Sequence, residues 1–83
     1  MRVEIVTPDS KVFDGEVEAV QIPGINGSFE ILKGHAPIVS AIDSGKLRVK
    51  QTGEQHKFFD VTGGIVEVVD NKVAVLAEIA TPL

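Results

Sequence analysis

The sequence contains no cysteine, tryptophan or tyrosine, and four phenylalanines and two histidines are its only aromatic residues. The absence of cysteine excludes disulfides, thiolate nucleophiles and zinc ribbons. His35 and His56 stand too far apart in the sequence to form a pair at metal-ligand spacing, and no serine occupies the nucleophile position of a G-x-S-x-G motif. We therefore predict that the chain is not an enzyme and holds neither a metal nor a cofactor.

Basic residues are also few, with eight Lys and Arg against twelve Asp and Glu and a net charge of −4. Nucleic-acid binding needs clustered basic side chains, and the densest group here, Lys46, Arg48 and Lys50, alternates as a solvated strand face would. No run approaches the roughly 20 apolar residues that cross a bilayer. The start meets a charge and then Pro8 too early for a signal peptide. We predict neither nucleic-acid binding nor direct membrane insertion.

What the sequence does contain is a series of strand signals within 83 residues, enough for one domain. Short runs rich in Val, Ile and Thr are broken by Gly, Pro, Asn and Asp, and no segment keeps a helical period over 10–12 residues. The predicted strands are Arg2–Thr7, Lys11–Asp14, Glu16–Ile22, Ser28–Leu32, Ala36–Ile42, Lys46–Gln51, Gln55–Thr62, Ile65–Val69 and Lys72–Ala80. Pro37 could instead sit in the first turn of a helix, but its β-branched neighbours favour a strand. These elements predict a single antiparallel β-sandwich domain over residues 1–83.

The connections between the strands carry turn residues. Pro23–Gly27 is predicted to be a loop, and Gly63-Gly64 is predicted to break a strand. Asp70-Asn71 tolerate the positive φ of a tight turn, so they predict a hairpin between the last two strands. Both arms of this hairpin have apolar residues on both faces, which a solvated face would lack. Either the sandwich covers both faces or a partner covers one, and this suggests an interaction module.

One alternative function follows from the same hairpin. Lipoyl and biotinyl carrier domains are all-β domains of similar length with a modified lysine at a hairpin tip, and Lys72 stands beside the Asp70-Asn71 tip. The carrier pattern, however, places this tip in mid-chain and surrounds the lysine with Met-Lys-Met or Asp-Lys-Ala, which is missing here. An adduct in the intact mass would distinguish a carrier from other functions.

Three segments resemble a known family in order and over essentially the whole chain. They are Gly34-His35-Ala36-Pro37-Ile38 with Ile31-Leu32 ahead and Gly45 behind, Gly63–Val68 followed by Asn71–Ala77, and the opening Val6–Ser10 with Val12–Gly15. Together they resemble the epsilon subunits of F-type ATP synthases. The sequence departs from the family pattern at Glu30, where glycine is usual, at Lys33, where proline is usual, and at Ser28, where an acidic residue is common.

The resemblance implies a sandwich of two five-stranded sheets in a non-catalytic rotor subunit of the central stalk. Such a subunit docks on the gamma subunit and the ring of c subunits, coupling ion translocation to ATP synthesis at the cytoplasmic side of the bacterial inner or plasma membrane. Carried over by position, the residues expected to face gamma are Thr7, His35 and Ser40. Those expected to face the polar loops of the ring are Ile25, Asn26, Gly27 and Ser28.

Typical members of the family continue into a C-terminal helical hairpin, which can inhibit ATP hydrolysis and in some members binds ATP. This sequence stops at Leu83, directly after Thr81-Pro82, with no helix start. The chain is therefore either a naturally short subunit or a piece of a longer one, and its last residues favour the first. We expect that residues 1–83 neither bind nucleotide nor inhibit hydrolysis.

Overall fold

The computed structural model describes residues 1–53 and 55–83, and the residues that it describes contain eight strands and no helix. The strands are β1 (Arg2–Val6), β2 (Lys11–Glu16), β3 (Ala19–Gly24), β4 (Gly27–Leu32), β5 (Ile38–Ile42), β6 (Gly45–Lys50), β7 (His56–Val69) and β8 (Lys72–Pro82). Ala36–Ile42 thus yields a strand rather than a helix. The predicted strands Gln55–Thr62 and Ile65–Val69 form one strand, β7.

The strands form two layers that share β7 and β8. The first half of β7 pairs with β6, and its second half pairs with β5. β8 follows β7 along both halves and has β1 on its other side. The first layer therefore has the order β2-β1-β8-β7-β5 and the second has β8-β7-β6-β3-β4, within a single hydrogen-bonded sheet. This arrangement confirms the predicted all-β sandwich of two five-stranded sheets.

One pairing departs from the predicted antiparallel pattern. β1 runs parallel to β8, with Arg2 opposite Lys72 and Val6 opposite Leu76. All other ladders, including that between β1 and β2, are antiparallel. A tight turn cannot join parallel neighbours, and β1 and β8 are indeed far apart in sequence, at the two ends of the chain.

The core lies between the layers and is entirely apolar among the described residues. Its largest fully buried side chains are Ile5, Ile22, Ile31 and Leu47, together with eight valines, Val3, Val20, Val49, Val61, Val66, Val68, Val73 and Val75. β-branched side chains pack well on a pleated surface, which explains why valine dominates a core built only from strands. One face of β7 and β8 therefore packs against the core, and the opposite face lies on the outside of the sandwich.

The predicted break at Gly63-Gly64 is wrong, because β7 continues through both residues. Its inward positions change there from Phe59 and Val61 to Val66 and Val68, so the alternation is offset by one residue. The register with β8 does not shift across this point. Both strands therefore bend together from one layer into the other. A Cβ on Gly64 would overlap the Leu76 carbonyl oxygen, so glycine permits close approach at the bend.

Two hairpin turns position the surfaces considered below. Asp70 and Asn71 have φ values of 49° and 62°, which confirms the predicted tight turn between β7 and β8. The predicted loop Pro23–Gly27 is shorter than expected, because β3 extends through Pro23 to Gly24 and only Ile25 and Asn26 lie between the strands. Pro23 is tolerated in β3 because its backbone polar groups face away from β4. Its carbonyl oxygen accepts from the Asp43 N–H on that side, so the missing N–H breaks no bond to β4.

Candidate partner-binding surfaces

The Ile25–Ser28 segment forms the exposed tip of the β3–β4 hairpin. Ile25 is 60% exposed, and Gly27 has a φ of 117°, a conformation that favours glycine. A Cβ on Gly24 would lie 2.7 Å from the Gly27 carbonyl oxygen and 2.9 Å from the Phe29 ring, so the turn closes tightly only with glycine there. The tip therefore presents one apolar side chain and small polar groups on a compact turn.

An open groove of about 480 Å³ separates this tip from β5. Ser40 and Ala41 line its far side, and the Ile25–Ser28 tip lines its near side. The Ser40 hydroxyl donates to the Ala41 carbonyl oxygen at 3.3 Å. The structure thus brings Ser40 and the Ile25–Ser28 residues together, although the family resemblance assigned them to two different partners.

Thr7 lies in the turn that follows β1. Its N–H donates to the Ser10 carbonyl oxygen at 2.8 Å, and the Ser10 N–H donates to the Thr7 hydroxyl oxygen at 3.2 Å. These two bonds hold Thr7 against the end of β1. A second open groove, of about 360 Å³, runs from Thr7 to Leu76.

His35 lies in the connection between β4 and β5. Its N–H donates to the Leu32 carbonyl oxygen at 3.1 Å, and its Nδ1 donates to the Ala36 carbonyl oxygen, 2.7 Å away. In a neutral imidazole ring this arrangement leaves Nε2 as an acceptor. The Gly34 N–H donates to Asn71 Oδ1 at 3.2 Å, which ties this connection to the β7–β8 turn.

Thr7 and His35 therefore occupy opposite ends of the first layer. Thr7 adjoins Leu76, whereas the segment of His35 adjoins Asn71. Five residues of strand span roughly 16 Å at a rise of about 3.3 Å per residue. The structure does not bring Thr7, His35 and Ser40 into one cluster, although all three border the first layer.

A surface that the sequence analysis did not assign to a site crosses the outer face of the first layer. Ala41 lies opposite Ile65, Ile65 lies opposite Leu76, and Leu76 lies opposite Val6. We call these four residues the apolar row. Ile65 and Leu76 are 39% and 51% exposed, and Val39, two residues from Ala41 on the same face of β5, is 62% exposed. The signal for this surface was the apolar residues on both faces of the last hairpin.

Ion pairs flank the apolar row on β1, β2 and β8. Glu4 accepts from Lys72 Nζ at 3.1 Å and lies 3.6 Å from Lys11 Nζ. Asp14 pairs with Arg2 at 2.7 Å and with Lys11 at 3.2 Å. The hydrogen bond from Lys72 is the main reason that the pKa of the Glu4 carboxyl lies below its ordinary value. This cluster joins three basic side chains and two carboxylates across β1, β2 and β8.

The pKa values of Asp14 and Lys11 are shifted by the same cluster. Desolvation acts to raise the pKa of the Asp14 carboxyl, but hydrogen bonds from Arg2 and Lys11 outweigh it and the pKa is lowered. The hydrogen bond to Asp14 is the main cause that raises the pKa of the Lys11 ammonium. Each group is thus held in its charged form.

The family model for the β-sandwich domain of the ATP synthase delta/epsilon chain matches residues 1–83. The chain belongs to this family. The match confirms the resemblance found in the sequence and leaves no support for the carrier alternative. Lys72, the residue on which that alternative depended, is ion-paired with Glu4.

Several epsilon chains are similar to this chain over most of its length. That of Chlorobaculum tepidum is 43% identical over 92% of this chain and 86% of the relative. That of Salinibacter ruber is 44% identical over 99% of this chain and 60% of the relative, and that of Maridesulfovibrio salexigens is 49% identical over 94% and 54%. The chain thus spans between about half and nearly nine-tenths of these relatives. The matched relatives are non-catalytic subunits of the synthase complex, as predicted.

Solved structures agree with the family assignment. A chain in the Euglena gracilis mitochondrial ATP synthase structure with OSCP, F1 and c-ring superposes with a TM-score of 0.90 at 26% identity, over 96% of this chain and 51% of that one. A chain of the Tetrahymena thermophila mitochondrial ATP synthase central stalk and c-ring gives 0.81 at 23% identity, over 95% and 63%, which shows a shared fold.

Two further features bear on the surfaces above. Within residues 1–53 and 55–83, no helix is long and apolar enough to cross a membrane. The same residues contain no group of three or more His, Asp or Glu side chains arranged to hold a metal ion. The candidate surfaces for protein contacts are the apolar row, the hairpin tip, and the grooves beside Ser40 and beside Thr7.

Proposed function

We propose that this chain is a non-catalytic rotor subunit in the central stalk of an F-type ATP synthase. It docks on the gamma subunit and on the c-ring, and so couples ion translocation to ATP synthesis. It does so as a peripheral subunit on the cytoplasmic side of the bacterial inner membrane. The observation that carries this proposal is the family match over residues 1–83, together with surfaces that suit protein contacts.

The apolar row supports docking on gamma. Exposed leucine and isoleucine side chains aligned across neighbouring strands form a continuous apolar surface, which marks interaction sites on small proteins. Burial of apolar surface contributes about 25 cal/mol per Å², so covering Ile65 and Leu76 stabilises a complex substantially. Thr7, His35 and Ser40 border the same layer and supply polar contacts at the rim, where interfaces are usually polar.

The hairpin tip supports docking on the ring. Ile25, Asn26, Gly27 and Ser28 carry no charge and are all exposed. A turn of small residues brings backbone groups close to another protein's polar loop, and Ile25 adds one apolar contact. The tip projects from the second layer, whereas the apolar row lies on the first. One rigid sandwich can therefore hold both partners at once.

Titration against gamma tests the first part of this function. Leu76→Asp places a carboxylate in the apolar row, and Leu32→Asp makes the same change on the outer face of the second layer. The two leucines are similarly exposed, at 51% and 53%. Leu76→Asp removes an apolar contact of about 2 kcal/mol and buries a charge in the interface. We therefore expect it to lower gamma affinity by at least about 100-fold.

The matched variant Leu32→Asp should bind gamma within about twofold of the parent, because a surface substitution outside an interface costs little. Isothermal titration calorimetry with purified gamma gives both affinities, and circular dichroism checks that each variant is folded. Equal losses for the two variants, or parent-like binding by both, would contradict docking through the apolar row. No binding of the parent chain to gamma or to the synthase would contradict the proposed function itself.

A further inference from the structure

The chain contains two asparagines, and their surroundings differ. Asn71 lies in the β7–β8 turn, where its Oδ1 accepts from the Gly34 N–H at 3.2 Å, and Lys72 follows it in the sequence. Asn26 lies at the tip of the β3–β4 hairpin and is followed by Gly27. Its side chain forms no hydrogen bond with any other residue that the structure describes. The carboxamide of Asn26 is therefore the one that is free to rotate.

A free asparagine side chain can react with its own backbone. The backbone nitrogen of the next residue attacks Cγ, a five-membered succinimide ring closes, and the side-chain nitrogen leaves as ammonia, taking the proton that the backbone nitrogen loses. Water then opens the ring. Opening at Cγ gives aspartate, and opening at the backbone carbonyl carbon gives isoaspartate, in which the chain runs through the former side chain. Because both reacting groups belong to one chain, proximity alone drives the first step.

Gly27 favours this reaction at Asn26. A side chain on the following residue crowds the attacking nitrogen, and glycine has none. A Cβ on Gly27 would meet no atom within 4 Å beyond its chain neighbours, so the space around the attacking nitrogen is open as well. At Asn71, by contrast, the next residue is Lys72, whose side chain is held by Glu4 at 3.1 Å. The two asparagines therefore differ in the attacking residue as well as in the carboxamide.

The position of the hairpin tip gives its backbone freedom and access to water. The pair formed by Gly24 and Gly27 is the last of the β3–β4 ladder, and β4 stands at the end of the described sheet. The end of an edge hairpin opens locally at a small part of the free energy of global unfolding. The tip is exposed, and the open groove of about 480 Å³ lies beside it. Water can therefore reach a succinimide formed there.

We propose that Asn26-Gly27 is a site of spontaneous deamidation, at which the folded chain converts its hairpin tip from an uncharged to a negatively charged form. Each conversion consumes one water molecule and releases one ammonia. The new carboxylate appears among the Ile25–Ser28 residues, none of which carries a charge. Isoaspartate also inserts one carbon atom into the backbone of a two-residue turn, so the pairing of Gly24 with Gly27 is disturbed.

One consequence of this reaction rests on the proposed function, in which the tip docks on the c-ring. A carboxylate that is buried in a contact without a partner is unfavourable. Chains that have deamidated before assembly should therefore dock on the ring less well than fresh chains. The site would limit the time for which an unassembled chain stays competent to join the synthase. The deamidation itself does not depend on this consequence.

Peptide mass spectrometry of the full chain, incubated at neutral pH for increasing times, tests the chemistry. Trypsin separates the two asparagines, because residues 12–33 and 58–72 form two different fragments. Fragment 12–33 should gain the mass of an NH₂-to-OH exchange and should yield both aspartate and isoaspartate forms. Fragment 58–72 should react at least about tenfold more slowly, because a hydrogen bond of about 1 kcal/mol holds Asn71 and Lys72 crowds the attacking nitrogen.

Two controls separate the structural claim from the sequence effect. Unfolding in urea should raise the rate at Asn26 by no more than about tenfold, because the tip already opens without global unfolding. Asn26→Gln keeps an uncharged amide but cannot close a five-membered ring, so its fragment 12–33 should keep its mass over the same time. Equal rates at Asn26 and Asn71 in the folded chain, or reaction of Asn26 only in urea, would overturn the inference. Aspartate without any isoaspartate would exclude the succinimide.

Assembly of fresh and incubated chains with the remaining subunits of the synthase tests the consequence. The incubated parent chain should join the c-ring less well than the fresh parent chain, whereas Asn26→Gln should not change with incubation. Equal assembly of fresh and deamidated parent chains would remove the consequence and leave the deamidation site intact. Failure of the fresh parent chain to assemble at all would contradict the proposed function rather than the site.

Discussion

Gly64 is the residue at which the path of the chain depends most directly on the absence of a side chain. Any Cβ there would overlap the Leu76 carbonyl oxygen and lie 2.9 Å from the Ala77 Cα, both of which are backbone atoms of the paired strand. Backbone atoms cannot rotate away as a side chain can, so β7 and β8 would have to separate at the bend. Gly63, the adjacent residue, has much more room, since its nearest such contact is the Ile42 carbonyl oxygen at 4.0 Å.

Gly64→Ala should therefore destabilise the sandwich by about 3 kcal/mol, the upper end of the range for overpacking a close-packed site. Gly63→Ala is the matched control and should change the free energy of unfolding by less than about 0.5 kcal/mol. Urea denaturation followed by circular dichroism measures both. Similar stabilities for the two variants would show that the bend does not require close approach at Gly64.

Two pairs of residues, Asp70-Asn71 and Gly63-Gly64, show which local conformations could be predicted from the sequence. Asp70-Asn71 could be predicted as a tight turn because the requirement for positive φ is local to those two residues. Gly63-Gly64 gave a signal that is compatible with a turn or with a close approach. Which of the two holds depends on where the Leu76 carbonyl oxygen lies, and this is set by pairing with a distant strand.

At the scale of elements, β1, β2 and β8 are joined by ion pairs as well as by backbone bonds. Glu4 on β1 contacts Lys72 on β8 and Lys11 on β2, while Asp14 on β2 contacts Arg2 on β1. The lowered pKa values of Glu4 and Asp14 mean that folding favours their charged forms. Their contribution to stability is present above the unfolded pKa values and is lost as pH falls through the folded ones.

Stability should thus decline as the pH falls below 4.5, the ordinary value for the pKa of the Glu4 carboxyl, and should continue to fall below 3.8, the ordinary value for the pKa of Asp14. Lys11 acts in the opposite direction, since its raised pKa stabilises below 10.5 and loses its effect above it. Thermal unfolding between pH 7 and pH 3 measures the acid limb. Glu4→Gln should give a shallower decline, and 1 M salt should also reduce it by screening exposed charges. A decline of unchanged steepness in Glu4→Gln would contradict this assignment.

The number and the ends of the strands could be predicted only where the signal was local in the sequence. The apolar alternation predicted strands in nearly all the right places, but Glu16–Ile22 was displaced to β3, Ala19–Gly24. Glu16 instead belongs to β2, and the Val17 and Glu18 N–H groups bond to the Met1 and Lys50 carbonyl oxygens. An alternating segment does not by itself reveal which of its residues find a partner strand, so its ends stayed undetermined.

At the scale of the whole molecule, the sequence identified the family but not the extent of the apolar row. The motifs that carried the resemblance are continuous in sequence and cover the chain, so they could be read directly. The apolar row combines residues from β1, β5, β7 and β8, which lie far apart in the chain. Its existence was signalled by the apolar outer face of the last hairpin, but its extent required the cross-strand registers.

The last prediction compares His35 and Gly27, two predicted contact residues that lie on different parts of the sandwich. His35 borders the first layer, and Nε2 of its neutral ring can accept a hydrogen bond. His35→Ala should therefore lower gamma affinity by about tenfold, or about 1.4 kcal/mol, if gamma donates a hydrogen bond there. His56→Ala is the control, because His56 is exposed and stacks on Phe58 in the second layer. Titration with gamma compares the two variants.

Gly27→Val should have a different effect, because it alters the tip assigned to the ring. The φ of 117° resists a β-branched residue, although a Cβ there meets nothing within 4 Å, so the cost of about 1–3 kcal/mol comes from the backbone alone. Gamma affinity should stay within about twofold of the parent, while assembly on the c-ring and ion pumping in reconstituted vesicles should fall. Under the proposed function, each of the two variants should therefore impair coupling by weakening the contact with only one partner. Loss of gamma affinity in Gly27→Val, or parent-like pumping by both variants, would show that the two partners are not divided between these surfaces.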